Sequence, residues 1–214
     1  MHRRWLPGGD AHLMDLSEAL AGRRSCRSYL TDPVAPDVLD PVLAACRRAP
    51  SAGNTWALDL VVLERRADVD RYWDTTLPAG PRRDRFGWPG LLRAPVIVLP
   101  VVDTEAYVRR YAEDDKARTG LGAGADAWSV PYWWVDGGAA VMAMLLAATS
   151  AGLGSLLFGV FGNESDVATT FGIPGDRRIL GAVALGWPDG DDRPSASAGR
   201  RRPTPREFIR RGGW

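Results

Sequence analysis

Three arginines surround one serine in the segment "GRRSCRSYL", residues 22–30. Arg23, Arg24 and Arg27 carry like charges that repel one another at this spacing, so an anionic ligand or an acidic part of the chain should neutralise them. A phosphate monoester would do so, because guanidinium groups pair with phosphate oxygens and Ser25 adds a hydroxyl donor. The alternative interpretation is a basic turn that is simply exposed to solvent.

Few other side chains could carry catalysis. The only histidines are His2 and His12, near the start of the chain, so a histidine-based triad or metal site in the body of the protein is not expected. Cys26 and Cys46 lack the spacing of a zinc site, and no metal is predicted. Neither "GLGAGA" nor "GLGSLLFG" meets the dinucleotide-binding pattern, and no P-loop occurs. Protein side chains alone therefore offer little catalytic machinery.

The elements that must position these residues alternate irregularly between helix and strand. Helices are predicted in "MDLSEALAG", ended by Gly22, in "PDVLDPVLAACRR", in "DTEAYVRRYAEDDKAR", from about 132 to 151, and in "SDVATTF", capped by Asn163. Strands are predicted in "ALDLVVLE", "APVIVLPVV", "GLGSLLFGVF" and "RILGAVALGW". Pro100 should break the second strand or put it at an edge. Asp136 should cap the start of the long helix. This order predicts an α+β fold.

The length and composition indicate one globular domain. The chain has 214 residues, of which 45% are hydrophobic and 25% charged, with a formal net charge of +1. Residues 1–13 are expected to be a loose N-terminal extension, and residues 14–214 the domain, with 188–214 as a tail. Asp136 and several glycines argue against a membrane span at 132–154. Two cysteines without a disulfide pattern favour the cytoplasm.

The run "RRSCRSYLTDPVAPDVLDPVLAACRRAPSAGNTWALDLVVL" resembles the N-terminal signature of the FMN-dependent nitroreductase family. In that family an RRSxR motif, a helix and a PSxxN turn follow one another in this order. The segments "WWVDGGAAVMAMLLAATSAGLGSLLFG" and "AVALGWPDGDDRP" resemble its central helix, the strand after it and its closing strand. The resemblance covers about two-thirds of the chain in order. It implies a nitroreductase-like fold, with a central, mainly antiparallel sheet flanked by helices, in an intertwined homodimer.

The resemblance also implies a set of FMN-binding residues. Arg23 and Ser25 would bind the phosphate, Arg27 would face the pyrimidine edge of the ring, and Arg24 would contribute mainly its backbone. Three further groups would complete the site. The strand end along one face of the ring would be Leu157, Phe158 and Gly159, and the turn that reaches the flavin of the other subunit would be Pro50, Ser51, Ala52 and Asn54. The tail arginines at the phosphate would be Arg200 and Arg201. The Lys or Asn that the family often carries near the ring has no counterpart in "FGWPGLLRAP".

Aromatic residues cluster where a glycine-rich loop enters the long helix. Trp128, Tyr132 and Trp133 are predicted to wall a substrate pocket, and an aromatic core or a dimer contact is the alternative. The residues between 103 and 129 are expected to form a lid that decides the substrate.

The function implied is that of an FMN-dependent oxidoreductase. NAD(P)H would reduce the flavin, and a small acceptor such as a nitroaromatic or a quinone would then oxidise it, in ping-pong order. Other flavin reactions, namely dehydrogenation of a heterocycle or reductive dehalogenation, are alternatives within the family. A nucleic-acid-binding protein that uses the arginine-rich tail is an alternative of another class, but the near-neutral net charge disfavours it, and neither nucleic acid nor membrane is predicted as a partner.

Overall fold

The computed structural model describes residues 14–214; the predicted extension, residues 1–13, lies outside the described residues. The described chain has the α+β fold that was predicted. Its helices are α1 (Leu16–Gly22), α2 (Pro36–Ala44), α3 (Arg66–Thr76), α4 (Pro81–Asp84), α5 (Thr104–Tyr111), α6 (Tyr132–Ser150), α7 (Glu164–Phe171) and α8 (Pro205–Phe208). Its strands are β1 (Leu58–Leu63), β2 (Val96–Asp103), β3 (Gly154–Phe158), β4 (Arg177–Ile179) and β5 (Ala182–Gly186).

The five strands form one antiparallel sheet. The strand order is β1-β2-β5-β3, and β4 pairs with β2 next to β5. Strand β1 runs along the whole of β2, from Leu58 opposite Val102 to Leu63 opposite Ile97. Strand β3 is an edge strand of this order, with Gly154 opposite Gly186 and Phe158 opposite Ala182 of β5. The free edge of β3 is where the arginine-rich segment lies.

Two predictions about strands were wrong. Pro100 neither breaks β2 nor puts it at an edge, because it lies between the residues that pair with β5 and those that pair with β4. The missing N–H of proline falls where the partner strand changes, and its carbonyl still accepts the N–H of Leu180 at 2.9 Å. The single strand predicted in "RILGAVALGW" is two strands, since Gly181 with φ of 148° interrupts it.

The core lies on both faces of the sheet. In β2, Ile97 and Leu99 pack with the residues of α3 and α7, whereas Val96 and Val98 pack with those of α2 and α6. Side chains of a strand alternate between the two faces, and both faces of β2 are covered, so the strand reads as an unbroken apolar run. Burying each such side chain stabilises the fold by about 1.5–3 kcal/mol.

Three further differences from the predictions concern helix ends. Asp15 and Glu18 form a capping box that begins α1, but Gly22 is still helical and Arg23 ends the helix with extended backbone. Helix α6 begins after Pro131 without a side-chain cap, so Asp136 does not cap it. Asn163 likewise does not cap α7, which continues from a 3₁₀ turn. Within residues 14–214, no helix has the length and apolar character needed to cross a membrane.

Candidate active site

The arginine-rich segment lies against the free edge of β3. Ser25 forms a parallel bridge with Ser155, and the Cys26 N–H donates to the Ser155 carbonyl at 3.0 Å. A few residues later the Leu30 N–H donates to the carbonyl of Trp187, just after β5, at 2.9 Å. The segment is therefore held at two places by strands that come more than 120 residues later in the sequence.

A close backbone contact fixes the middle of this segment. A Cβ added to Gly154 would lie 2.6 Å from the Cys26 sulfur, so only glycine allows β3 to approach this closely. Cys26 is buried, and burial raises the pKa of its thiol above the ordinary value. The fully buried Tyr29 donates its hydroxyl to the Cys26 carbonyl at 2.9 Å. These contacts leave the backbone around Ser25 and Arg27 little freedom.

In the part of the chain that the structure describes, the guanidinium groups of the segment's three arginines have no carboxylate partner. Among residues 14–214, no ion pair joins Arg23, Arg24 or Arg27 to an acidic side chain. Asp192 accepts the backbone N–H of Arg27 at 2.8 Å, whereas the Arg27 guanidinium donates to the Ser25 carbonyl at 3.3 Å and lies 5.2 Å from the Trp88 ring centre. Arg23 and Ser25 are half-buried, and Arg24 is exposed. The positive charge of the segment is thus available to an anion.

Arg27 shares a cleft of about 610 Å³ with the end of β3. Leu157, Phe158 and Gly159 line this cleft, so the structure brings together Arg27 and the three residues predicted to cover one face of a flavin ring. The Phe158 ring stacks on Trp73, with ring centres 5.8 Å apart and planes at 5°. The indole N–H of Trp73 is buried and has no hydrogen-bond partner in the described part of the chain. Aromatic side chains thus form part of the wall of this cleft.

Several residues of this cleft were missed by the sequence analysis. They come from α3, α4 and the loop before β2, a region that lacks a clear periodic pattern; they include Tyr72, Trp73, Arg82, Phe86 and Trp88. Trp88 belongs to the "FGW" tripeptide in the segment where the family's Lys or Asn could not be found. The two aromatic residues of this short loop, Phe86 and Trp88, were the available signal, since an aromatic side chain outside a helix or strand pattern often belongs to a binding surface.

The Pro50–Asn54 turn lies in a different place. Pro50 and Ser51 line a second cavity of about 250 Å³, and neither lines the cleft of Arg27. Gly53, Asn54 and Trp56 all have left-handed backbone, with φ of 63°, 56° and 52°. Such conformations cost about 1–3 kcal/mol for residues other than glycine, and they concentrate at functional sites. A strained turn of this kind is a candidate ligand-binding element.

Asp136 holds this turn in place. Its carboxylate accepts the Ala52 N–H at 2.6 Å and the Tyr107 hydroxyl at 2.9 Å, and it is buried. Burial and the neighbouring Asp136 carboxylate raise the pKa of Tyr107 well above its usual range. Arg110 donates to the Gly53 carbonyl at 2.8 Å. Asp136 was predicted to cap the start of the long helix, but its carboxylate instead binds Ala52 of the turn and the hydroxyl of Tyr107.

Two of the three predicted substrate-pocket residues are part of the interior. Trp128 and Trp133 are each 6% exposed and pack around Tyr107, and the Trp128 indole N–H donates to the Leu121 carbonyl at 3.0 Å. Neither lines the cleft or the second cavity, which agrees with the alternative interpretation of an aromatic core. Tyr132, at the first turn of α6, is 44% exposed.

Within residues 14–214 of one protomer, the tail arginines form no hydrogen bond or ion pair with the arginine-rich segment. The tail is exposed throughout residues 196–214. Arg201 pairs with Glu207 through two hydrogen bonds of 2.6 and 2.7 Å, and this pairing lowers the pKa of Glu207 to about 2. Among the described residues, no hydrogen bond or ion pair links Arg200 or Arg201 to residues 23–27.

The fold and this site define a class of enzyme, and comparison with known proteins identifies it. The model of the Nitroreductase family matches residues 20–187, which is most of the chain, so this protein belongs to the nitroreductase family. The family resemblance expected from the sequence is thereby confirmed, and it places the chain among oxidoreductases. The match ends before the tail.

Individual relatives agree with this assignment. The chain is 30% identical over 213 residues to a 4-nitrobenzoate reductase of a Nocardioides species, covering 88% of this chain and 86% of the relative. It is 28% identical over 175 residues to an FMN reductase [NAD(P)H] of Bacillus subtilis, covering 81% and 66%. A crystal structure from Parabacteroides distasonis, described as a putative NADH dehydrogenase/NAD(P)H nitroreductase, superposes with a TM-score of 0.67 at 20% identity, covering 92% and 98%. The last comparison establishes the fold.

Proposed function

We propose that this protein is an FMN-dependent oxidoreductase that takes hydride from NAD(P)H and passes it, in ping-pong order, to a small acceptor such as a nitroaromatic or a quinone. One observation carries the proposal. The guanidinium groups of residues 23–27 have no carboxylate partner among the described residues, and this segment adjoins a cleft that Arg27 and the end of β3 line together. A cofactor with a phosphate and a flat ring needs both features.

The residues of the cleft fit this cofactor. The volume of about 610 Å³ is in the range of ligand pockets, and the wall is largely apolar, with six aromatic side chains that suit a flat ring. FMN, when bound, supplies the hydride chemistry at its N5 position. No histidine occurs in residues 14–214, and the proposal does not need one, because the flavin carries the hydride.

Each part of the segment has a separate role in this proposal. Arg23 and Ser25 bind the phosphate. Arg27 places a positive charge beside the electron-poor ring system, which stabilises the negative charge gained on reduction. Asp192 fixes the Arg27 backbone, and Trp88 holds its guanidinium, so the charge stays in one position. Leu157 and Phe158 exclude water from one face, and Gly159 leaves room for the Phe161 ring, which a Cβ at Gly159 would meet at 2.4 Å.

The second subunit completes the site in this proposal. The Pro50–Asn54 turn is separate from the cleft of its own chain, and the tail is exposed and carries large apolar side chains, Phe208, Ile209 and Trp214. An exposed segment of this composition cannot offset its own ordering entropy without a partner surface. We therefore expect a homodimer in which the turn and the arginines at 200–201 reach the flavin of the other protomer.

Anaerobic stopped-flow spectroscopy tests the function. The purified protein should be yellow, NADH or NADPH should bleach the flavin absorbance, and mixing with a nitroaromatic or a quinone should restore it. Gel filtration of the same sample should give the mass of a dimer. A colourless protein that does not take up added FMN would refute the cofactor assignment, and bound flavin that neither NADH nor NADPH reduces would refute the proposed donor.

A further inference from the structure

The cleft that receives the flavin in the proposed function has a wall that is both aromatic and positively charged. Its six aromatic residues are Tyr72, Trp73, Phe86, Trp88, Phe158 and Phe161. Among residues 14–214, Arg27 and Arg82 are the only charged residues that line it, and no acidic side chain does. Flat rings pack well on such a wall, and the two cations give the cleft a positive potential that favours anions.

The two arginines differ in their contacts. The Arg27 guanidinium donates to the Ser25 carbonyl and stacks over Trp88. Arg82, the second residue of α4, is exposed, and its side chain forms no hydrogen bond or ion pair with any other residue in the range 14–214. A guanidinium at the rim of a ligand cleft that has no protein partner can bind a carboxylate through paired hydrogen bonds.

The neighbouring arginines show that Arg82 is distinct. Arg83 donates to the Leu77 carbonyl at 2.6 Å and pairs with Asp74 at 3.0 Å, while Arg85 donates to the Pro81 carbonyl at 3.0 Å. Neither lines the cleft. Of the three arginines in the segment "PRRDR", therefore, one lines the cleft without a partner and two are used to hold the local structure.

We propose that Arg82 selects electron acceptors that are aromatic carboxylates. In the part of the cleft that the flavin leaves open, the ring of the acceptor packs on aromatic side chains and Arg82 binds its carboxylate, so that a charged acceptor binds more tightly than an uncharged one of the same shape. This inference rests on the proposed function and adds the substrate class. The pair is partly solvated, so its contribution should be modest and should decrease with rising salt.

The experiment compares two acceptors that differ only in charge, 4-nitrobenzoate and 4-nitrobenzamide. The Arg82→Gln variant should raise KM for 4-nitrobenzoate about fivefold and leave KM for 4-nitrobenzamide nearly unchanged, with kcat for both retained. Arg82→Lys should recover part of the loss. Arg85→Gln is the matched control, because Arg85 is in the same short segment and does not line the cleft, and both KM values should stay as in the wild type.

An equilibrium measurement separates this inference from the proposed function. Quenching of tryptophan fluorescence by the two acceptors, with the oxidised protein and no hydride donor, reports binding without turnover. A preference for 4-nitrobenzoate that disappears in Arg82→Gln and in high salt supports the inference even if NAD(P)H proves not to be the donor. Equal binding of the two acceptors by the wild type, or equal losses for both in Arg82→Gln, would overturn it.

Discussion

Two arginine-rich segments of this chain have similar composition but opposite surroundings. Residues 23–27 lie against the edge of the sheet, where Ser25 pairs with Ser155 and Asp192 accepts the Arg27 N–H. Residues 200–211 are exposed, and the contacts of Arg201 and Arg210 are with other tail residues, Glu207, Arg206 and Trp214. The first segment has its position fixed by its own fold. The second segment can become fixed only through contact with a partner or a ligand.

The two segments lose their conformational entropy at different stages. The first segment is ordered when the sheet folds, so its guanidinium groups can meet a ligand with little further loss of freedom. An exposed tail is ordered only when it contacts a partner or ligand, and this lowers the net affinity that its arginines can contribute. Substitutions in the fixed segment should consequently have the larger effects on binding.

The largest effect is expected for Arg23→Ala. In the proposed function Arg23 binds the FMN phosphate from a fixed backbone, so its loss should weaken FMN binding by about a hundredfold, as expected for a charged hydrogen-bonded group. Titration of the apoprotein with FMN, followed by flavin fluorescence, measures this. Arg118→Ala, an exposed arginine outside both cavities, is the control and should bind FMN as the wild type does. Equal affinities for the three proteins would refute the role of Arg23.

The Pro50–Asn54 turn is a further segment whose position is fixed by the fold, and the Asp136 carboxylate is one of the groups that hold it. Asp136→Ala leaves the Ala52 N–H and the Tyr107 hydroxyl without their acceptor, which should lower the free energy of unfolding by about 2–3 kcal/mol. Tyr107→Phe removes one donor and leaves the Ala52 contact intact, so it should cost about 1 kcal/mol. Urea unfolding followed by circular dichroism measures both. Equal free energies of unfolding for the two variants would show that the Ala52–Asp136 hydrogen bond does not stabilise the turn.

The tail arginines should have a smaller effect. In the proposed function Arg200 and Arg201 reach the phosphate only after the tail is ordered, so the double variant Arg200→Ala/Arg201→Ala should weaken FMN binding about tenfold. Arg210→Ala/Arg211→Ala removes the same charge from the end of the tail and should have little effect. If the two pairs behave alike, the tail acts through its overall charge, and positions 200–201 have no specific role.

A pH-dependent effect on stability is expected from the two cysteines. Burial raises the pKa of the Cys46 thiol to about 11 from an ordinary value of 9.0, and it also raises that of Cys26. The unfolded chain therefore loses these protons at lower pH than the folded one, and stability should decrease as the pH rises from about 9 to 11. Urea unfolding at a series of pH values measures this, and Cys46→Ala should show a weaker decrease.

Cys26 also reports directly on the fixed segment. Because it lies between Ser25 and Arg27 and is buried, its reaction with a thiol reagent requires the segment to leave the sheet. In the Cys46→Ala background, Cys26 should react at least about a hundredfold more slowly in the folded protein than in urea. Fast reaction in the folded protein would show that the segment opens readily and would remove the contrast with the tail.

Much of the fold could be predicted because local patterns and tertiary structure agree. The apolar run of β2 and the long helix α6 are found where they were predicted. The errors arose where long-range pairing decides the outcome. Gly181 divides one predicted strand because β4 and β5 both pair with β2, and Pro100 is tolerated because the partner strand changes beside it. Neither pairing can be read from the local sequence.

The site could be predicted only in part. The juxtaposition of Arg27 with Leu157–Gly159 came from the family resemblance, since these residues are about 130 positions apart. The aromatic wall from α3 and the loop before β2 was missed, because Trp73 and Trp88 stand in a region without clear periodicity. Trp128 and Trp133 were predicted at a pocket but pack around Tyr107, since a tryptophan serves equally well in a core and in a binding site.

The parallel bridge between Ser25 and Ser155, together with the Arg27–Asp192 contact, has a consequence for how the protein is made. The amino-terminal half of the anion site is synthesised first, yet it cannot adopt its final conformation until the ribosome has added about 165 further residues. In the proposed function, residues 23–27 can therefore hold FMN in their final geometry only after Ser155 and Asp192 have been synthesised and have folded against them.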